Sequence, residues 1–515
     1  MVDLLPLSSN TRHMTLRNRV RISWGTLSWL VLVLACVCVQ PFTLGFYLDD
    51  WPECALAAKA GPPFSKALLH HVYAIDSTRP GLVPIRYLLS SLFRDHAFLW
   101  QAGLLIANFA MALVLVWLVR AFLGEDLSSP GMWIGAVWLL LPWNAAALFW
   151  PTYLPDVLVL LVFGLLCAYS IRSWRRQRNN ALWMGAVYLW ICLSYEAFYF
   201  QWIALALIGL AMVRFGRARL RDVLFSSTGL LVAQICAAVV HVLIVPAPGM
   251  ERPIVSDWPR VAAGDLLTIV PTIFRSAWEV RTVMSILGRV LIVVWAFEAY
   301  RSRKPAMLGC CFLVGGVLSI VAFALGGRGV AATGVDTRTL LIFNYWFVLG
   351  AAILSGSALA RSGPRMKAAI SLVLAGLGGS LAFAHVLRSR DWAAAWNMET
   401  TILAEAPLAD LRRTPPGATI VFAGQSYVNG APVFTAPWDL NSAMPWKYPV
   451  LQGRTFVVYN PYAGALEWDG SRLVYGQAHP IAETRDVYLW LPAQHGFTRA
   501  TRPFRIRPDL TVESD

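Results

Sequence analysis

Two adjacent carboxylates, Asp49 and Asp50, lie in the sequence FYLDDWPE at positions 46–53, just after the first long apolar run. Only 14% of the residues are charged, so an acidic patch beside an apolar run stands out against the composition. Carboxylates at a membrane surface can act as a base or bind a cation. The alternative is a hydrated loop whose aspartates cap a helix. The position of the pair and its aromatic neighbours favour a functional site.

Two further carboxylates, Asp156 and Glu196, lie in short turns between apolar runs. A lone acid is costly within the hydrocarbon, so each should either cap a helix at the interface or face a polar cavity. Almost no loop separates the runs on either side of Glu196, which favours the cavity. Asp156 follows Pro155, and there a helix N-terminal cap is the stronger expectation.

Arginines in two other segments could bind phosphate. Arg328 and Arg338 flank a stretch with glycines and hydroxyls just before an apolar run. Guanidinium groups match phosphate oxygens bidentately, and the amides at the start of the following helix add attraction. Contact with lipid headgroups is an equal alternative. Arg79 lies in the long segment 45–97, and two short interfacial helices at 55–60 and 64–73 would bring it back near Asp49 and Asp50.

The composition indicates what must position these residues. The 515-residue chain is 57% hydrophobic with 23 tryptophans, and its mean hydropathy is +0.56. These values exclude an ordinary globular enzyme and predict an all-α polytopic membrane bundle of about eleven transmembrane helices. The expected runs are 22–44, 98–120, 131–149, 152–171, 181–194, 197–215, 223–246, 282–300, 306–326, 339–360 and 368–388.

Basic clusters predict the orientation of this bundle. The net charge of +14 is not gathered with stacking aromatics on one soluble domain, so no nucleic-acid partner is expected. The clusters at 12–21, 172–178, 214–221, 301–304 and 361–367 fall at every second membrane exit. By the positive-inside rule the N-terminus is cytoplasmic, while the aspartate loop and the C-terminal residues are external. The first run is interpreted as an uncleaved anchor.

The composition changes near residue 389, where apolar runs give way to proline and polar residues. Residues 391–413 are typical of an amphipathic helix, and alternation predicts strands at 418–424, 454–459, 472–476 and 486–491. We therefore divide the chain into a cytoplasmic tail at 1–21, a transmembrane module at 22–389 and a small external α/β or mainly β domain at 390–515. The external loop 45–97 belongs to the transmembrane module.

Four features occur together in the sequence: Asp49-Asp50-Trp51 after the first span, the Arg79-Pro80 dipeptide, the acidic turn Tyr195-Glu196 and an external C-terminal domain. This combination resembles the GT-C superfamily of integral-membrane glycosyltransferases. The pattern is most similar to the branch of dolichyl- or polyprenyl-phosphate-mannose protein O-mannosyltransferases, over residues 22–390. Tyr195 stands where such enzymes often carry a lysine. The sequence of the C-terminal domain itself resembles no recognised domain.

The resemblance implies transfer of a monosaccharide from a polyprenyl-phosphate donor to an external glycan, lipid or protein by a single inverting displacement. Asp50, slightly ahead of Asp49, would take the acceptor proton, and Asp49 would assist or bind Mg²⁺ or Mn²⁺. Arg79, Arg328 or Arg338 would stabilise the departing phosphate. The expected place is a bacterial inner membrane, where membrane lipids are further partners.

Two other classes of function stay open on the sequence. A transporter or lipid flippase also places polar residues at the edge of a bundle, but usually carries ionisable groups deep in its spans and has repeated halves. A non-catalytic scaffold would use the C-terminal domain to bind a partner. An Asp50→Asn variant separates an enzyme from a scaffold, because only the enzyme would lose turnover while still folding.

Overall fold

The computed structural model describes most of the chain. Residues 1–23, 56, 124–129, 179, 244–256, 277, 326–328, 330, 332–333, 462–463, 476–478, 493–495 and 515 lie outside the described residues. The described part is mostly helical, with a small β region at its C-terminal end, as the sequence predicted. The expected cytoplasmic tail at 1–21 falls outside it.

Eighteen α-helices form the described helical part. They are α1 Trp24–Val37, α2 Gln40–Thr43, α3 Lys66–Ile75, α4 Val83–Phe93, α5 Ala97–Leu123, α6 Pro130–Leu140, α7 Ala145–Phe149, α8 Leu154–Arg175, α9 Ala181–Ser194, α10 Gln201–Arg214, α11 Leu220–Leu243, α12 Trp258–Ser276, α13 Arg281–Arg301, α14 Arg303–Leu325, α15 Leu341–Arg361, α16 Pro364–Ala404, α17 Leu408–Arg413 and α18 Pro437–Lys447.

Eight of these helices, with their flanking turns, are long and apolar enough to cross a membrane: α5, α8, α10, α11, α13, α14, α15 and α16. Each matches one of the eleven predicted runs, and the chain is an integral membrane protein. The count of eleven is not confirmed. Of the other three runs, 22–44 holds α1 and α2, 131–149 is divided into α6, a 3₁₀ turn and α7, and 181–194 forms the 14-residue α9.

Two breaks in the helices create irregular backbone at one end of the bundle. Between α6 and α8 the chain makes 3₁₀ turns at Pro142–Asn144 and Pro151–Tyr153, where the prolines lack the N–H that a continuous helix requires. Between α9 and α10, the 3₁₀ turn Glu196–Phe198 is followed by Phe200 with a φ of +70°. These breaks bring side chains from the two segments together, for example the hydroxyls of Tyr153 and Tyr195.

The amphipathic helix α12 was not predicted from the sequence. It packs against α13 and α14 and contains Pro271. Its apolar residues alternate with charged ones such as Arg260 and Asp265, so the segment is not apolar enough to be recognised as a spanning run.

Helix α16 continues for 41 residues, from Pro364 to Ala404. The expected boundary at 389/390 therefore lies inside a helix, and the predicted amphipathic helix at 391–413 is the end of α16 followed by α17. The composition changes part-way along one continuous helix, and the helix does not end there.

The C-terminal region contains two main sheets. The strands are β1 Thr419–Phe422, β2 Tyr427–Val428, β3 Ala431–Pro432, β4 Thr455–Val458, β5 Leu466–Trp468, β6 Arg472–Tyr475, β7 His479–Glu483, β8 Val487–Leu491, β9 Gly496–Arg499, β10 Phe504–Ile506 and β11 Val512–Ser514. The first sheet has the order β4-β1-β8-β9, in which β1 pairs in parallel with β4 and β8. The second is antiparallel, with the order β11-β10-β5-β6-β7. Strands β1, β4, β6 and β8 match the four predicted strands.

Candidate functional site

The aspartate pair lies in a tight turn that we call the aspartate turn, residues 47–50. The Asp50 N–H donates to the Tyr47 carbonyl at 2.8 Å, and Leu48 has a φ of +46°. Leucine rarely adopts this left-handed conformation, which costs about 1–2 kcal/mol. Surrounding contacts must therefore hold the turn in place.

Asp50 is fully buried, and both of its carboxylate oxygens accept hydrogen bonds. Oδ2 accepts from the Tyr47 N–H at 2.7 Å. Oδ1 accepts from the Thr152 N–H at 2.5 Å and also from the Thr152 hydroxyl. Burial raises the pKa of Asp50 well above its usual range, against the opposing effect of these donors. Asp50 thus ties the aspartate turn to the start of α8.

Asp49 differs clearly from its neighbour. It is half-buried, and its Oδ1 accepts a hydrogen bond at 2.8 Å from the indole Nε1–H of Trp438, a residue of α18. As expected for adjacent residues, whose side chains diverge, the two carboxylates have different surroundings. Asp49 is the member of the pair that a substrate could reach without movement of the turn.

The segment 150–153 connects the aspartate turn to the rest of the site. The Trp150 Nε1–H donates to the Tyr47 carbonyl at 3.2 Å. The Tyr153 hydroxyl lies 3.0 Å from the Tyr195 hydroxyl and donates to the Arg338 carbonyl at 3.0 Å. Residues far apart in the sequence therefore meet at one end of the bundle.

Arg79 and Glu196, both singled out from the sequence, form an ion pair. The Arg79 Nε and Nη2 donate to Glu196 Oε2 and Oε1 at 3.1 and 3.0 Å, a bidentate arrangement, and the guanidinium lies 4.9 Å from the centre of the Tyr195 ring. Both side chains are partly exposed. The loop does bring Arg79 over the bundle, but the partner in hydrogen bonding is Glu196 rather than the aspartate pair.

Asp156 is buried in the first turn of α8. The expected helix cap is not formed, because no side chain caps this helix. Its Oδ1 has no hydrogen-bond partner in the structure, and the positive charges that act on it are those of Arg79 and Arg86. Asp156 therefore belongs to the same charged cluster as the Arg79–Glu196 pair.

Arg338 faces the cluster from the turn before α15. Its guanidinium lies 5.7 Å from the Trp150 ring centre, and its Nη2 is 3.7 Å from Asp336 Oδ1. Its buried Nε has no hydrogen-bond partner, so the side chain is less engaged than Arg79. Arg328, the other arginine expected here, lies outside the described residues.

The sequence analysis did not predict a largely buried triad of charged side chains in the loop 45–97. Arg86 on α4 bonds to Glu53 and lies 2.5 Å from Asp76, measured from Nε to Oδ2. The triad joins three separate parts of the loop 45–97, and removal of one partner from such a buried group of charges is strongly destabilising. Glu53 belongs to the acidic patch, but the pairing depends on the path of the loop, which the sequence does not reveal.

Among the described residues, no three His, Cys, Asp or Glu side chains are grouped so that they could hold a metal ion. Asp49 therefore has no described partners with which to form a protein site for Mg²⁺ or Mn²⁺, and one of its oxygens is already bonded to Trp438. Mg²⁺ commonly binds through one or two carboxylates completed by water and phosphate oxygens, so a cation at Asp49 would take its other ligands from water or a bound phosphate, and it stays a prediction.

No family model matches the chain, and no curated protein matches it significantly. Among solved structures, ArnT from Cupriavidus metallidurans bound to undecaprenyl phosphate is similar at 11% identity, with a TM-score of 0.46 over 84% of this chain and 85% of that chain. An Archaeoglobus fulgidus oligosaccharyltransferase tethered with an acceptor peptide is similar at 11% identity, with a TM-score of 0.40 over 85% of this chain and 64% of that chain. Similarity at these TM-scores does not establish a family or a function for this chain.

Proposed function

We propose that the chain is a membrane glycosyltransferase of the GT-C kind, which transfers a monosaccharide from a polyprenyl-phosphate donor to an acceptor outside the cytoplasm. The observation that carries the proposal is that the segment 150–153 joins the aspartate turn to the turn of Arg338: Trp150 donates to the Tyr47 carbonyl and lies against the Arg338 guanidinium. An inverting transfer needs a base near the acceptor hydroxyl and cations near the departing phosphate. The assignment to a branch of the superfamily rests only on the resemblance of the sequence.

The accessibility of the two carboxylates favours Asp49 as the base, although the sequence slightly favoured Asp50. The acceptor oxygen would attack the anomeric carbon while the bond from that carbon to the phosphate oxygen breaks. The acceptor proton would pass to Asp49, and polyprenyl phosphate would leave as the anion. Asp50 is fully buried and both its oxygens are bonded, so its role would be to hold the turn.

Arg338 is the better candidate for the donor phosphate. Its Nε lacks a partner, whereas Arg79 already gives two N–H groups to Glu196. Arginine donors can bind phosphate oxygens with strong charge-assisted hydrogen bonds. Through Trp150, which contacts both Arg338 and the carbonyl of Tyr47, the phosphate subsite would lie beside the aspartate turn.

An apolar cavity supports a lipid-linked donor. It has a volume of about 290 Å³ and is lined almost entirely by apolar side chains of α6, α12, α13, α15 and α16. Trp143, which lines the cavity, belongs to the irregular segment that continues to Trp150 and Thr152. Part of a polyprenyl chain could occupy such a cavity, and the 3₁₀ turn that contains Trp143 contacts the turn that carries Arg338.

Complementation of a deletion strain tests the proposal. We expect loss of one monosaccharide from an envelope glycan, lipid or protein, restored by the parental gene and not by Asp49→Asn expressed at an equal level. In membranes, the parental protein should consume polyprenyl-phosphate monosaccharides labelled in the sugar. If Asp49→Asn restores the modification fully, the proposed function is wrong.

A further inference from the structure

The C-terminal region packs directly on the acidic patch of the first loop. Helix α18 contacts the π-helical turn Trp51–Ala55, where the Trp51 ring lies 5.5 Å from that of Trp446. The Lys59 ammonium donates to the carbonyl of Trp446 in the last turn of α18. The C-terminal end of α18 is therefore fixed relative to the loop.

The start of α18 is held rigidly. Asp439, which is fully buried, accepts hydrogen bonds from the N–H groups of Thr435 and Ala436 at 2.9 and 2.8 Å through its Oδ2. From the third position of the helix, this carboxylate bonds back to the two residues that precede the helix, as the acidic residue of a capping box does. Trp438 lies in the first turn of this helix.

Trp438 is 52% exposed, so its indole is not needed to fill a core. Its Nε1–H nevertheless bonds to Asp49 Oδ1, a residue 389 positions away. A hydrogen bond to a carboxylate fixes the orientation of both oxygens, because the carboxylate is planar. The bond joins a rigid helix start to the carboxylate that we assign as the base.

We propose that Trp438 is a positioning residue for the transfer reaction, through which the C-terminal domain orients the Asp49 carboxylate toward the acceptor. The proposal rests on the proposed function. It gives the C-terminal domain a role in turnover: with Oδ1 held by the indole, the second oxygen of Asp49 takes the proton. Loss of the indole N–H frees the Asp49 carboxylate to rotate and loosens the turn that carries it.

The experiment compares three variants of the full-length protein in nanodiscs. Trp438→Phe removes the N–H donor and keeps an aromatic ring, and Trp438→His restores a ring N–H. The matched control is Trp468→Phe, which removes a buried indole donor to the Thr484 carbonyl, 3.0 Å away in the same domain. The kcat and donor KM are measured with labelled polyprenyl-phosphate sugar and membranes of the deletion strain as acceptor.

We expect Trp438→Phe to lower kcat about 10- to 100-fold, the usual effect of a misplaced reacting group, with the donor KM unchanged and partial recovery in Trp438→His. Trp468→Phe should keep the parental kcat even if it lowers stability. Parental kcat in Trp438→Phe, or an equal fall in both Phe variants, would overturn the proposal.

Hydrogen exchange separates this proposal from the proposed function. The amides of Asp50, Trp51 and Glu53 donate to carbonyls of the aspartate turn, so Trp438→Phe should speed their exchange and Trp468→Phe should not. If Asp49→Asn retains full turnover, the proposed function fails whatever the exchange shows. If exchange at these amides is unchanged in Trp438→Phe, the positioning role fails even though transfer activity stands.

Discussion

Separate replacement of Asp49 and Asp50 by asparagine should give opposite phenotypes. Asparagine has nearly the same shape as aspartate but cannot accept a proton as a base. Position 49 is half-buried, and the amide oxygen of an asparagine there could still accept the hydrogen bond from Trp438. Asp49→Asn should therefore fold normally. Its kcat should fall about 10²- to 10⁴-fold, the usual value of general-base catalysis.

Asp50→Asn should act mainly on stability. An amide oxygen can keep the two bonds from Thr152, but the NH₂ group then faces the N–H of Tyr47, which loses its acceptor. A buried donor without a partner costs about 1–3 kcal/mol. Asp50→Asn should therefore lower the free energy of unfolding by about this amount, while folded protein retains most of its turnover.

The assay combines thermal unfolding of each variant in the same detergent with transfer rates normalised to folded protein. Thr152→Val is a useful control, because it removes only the hydroxyl donor to Asp50 and should give a smaller loss of stability in the same direction. Parental turnover in Asp49→Asn would refute the assignment of the base. A large loss of rate in Asp50→Asn with unchanged stability would show that the buried carboxylate is the reacting one.

Three further outcomes are expected. Arg338→Ala should raise the donor KM by a factor that corresponds to about 1.5–3 kcal/mol, and an equal weakening of donor and acceptor use would reassign Arg338 to headgroup contacts. Burial raises the pKa of Asp439 well above its usual range, so the protonated carboxyl is favoured in the folded state. The stability that this gives is fully present below the unfolded-state pKa of about 4 and is lost as the pH rises through the folded-state pKa. Asp439→Asn should therefore flatten this loss in a series of thermal unfolding curves, and an unchanged slope would contradict it. Ala351→Phe, which narrows the apolar cavity, should weaken use of long-chain donors more than short-chain ones, and equal effects would place the lipid elsewhere.

Much of the candidate site could be predicted from the sequence because few residues of this chain are charged. In a chain this apolar, Asp49, Asp50, Asp156 and Glu196 each required an explanation, and the structure brings Asp156 and Glu196 into one cluster with Arg79. The breaks around α7 could be anticipated in part from Pro142 and Pro151, although the sequence analysis treated 131–149 as one span.

The partners of these residues could not be predicted, because they depend on contacts between distant segments. The bond from Trp438 to Asp49 joins the C-terminal domain to the first loop, and no local pattern indicates it. Thr152 is likewise an ordinary threonine in the sequence, yet it gives Asp50 two hydrogen bonds. The sequence also could not rank the two aspartates, since ranking depends on burial.

The continuity of α16 has a mechanical consequence. Its 41 residues extend over about 60 Å at the rise of an α-helix, roughly twice the thickness of the hydrocarbon layer. The part near its end contacts the acidic loop, where the Tyr47 ring lies 4.7 Å from that of Trp392 and the Trp51 Nε1–H donates to Glu399 at 3.0 Å. Because one continuous helix runs from the lipid to these contacts, a change of its tilt in a thicker or thinner bilayer would move the residues that contact the aspartate turn, and the position of the aspartates relative to the membrane surface would depend on membrane thickness.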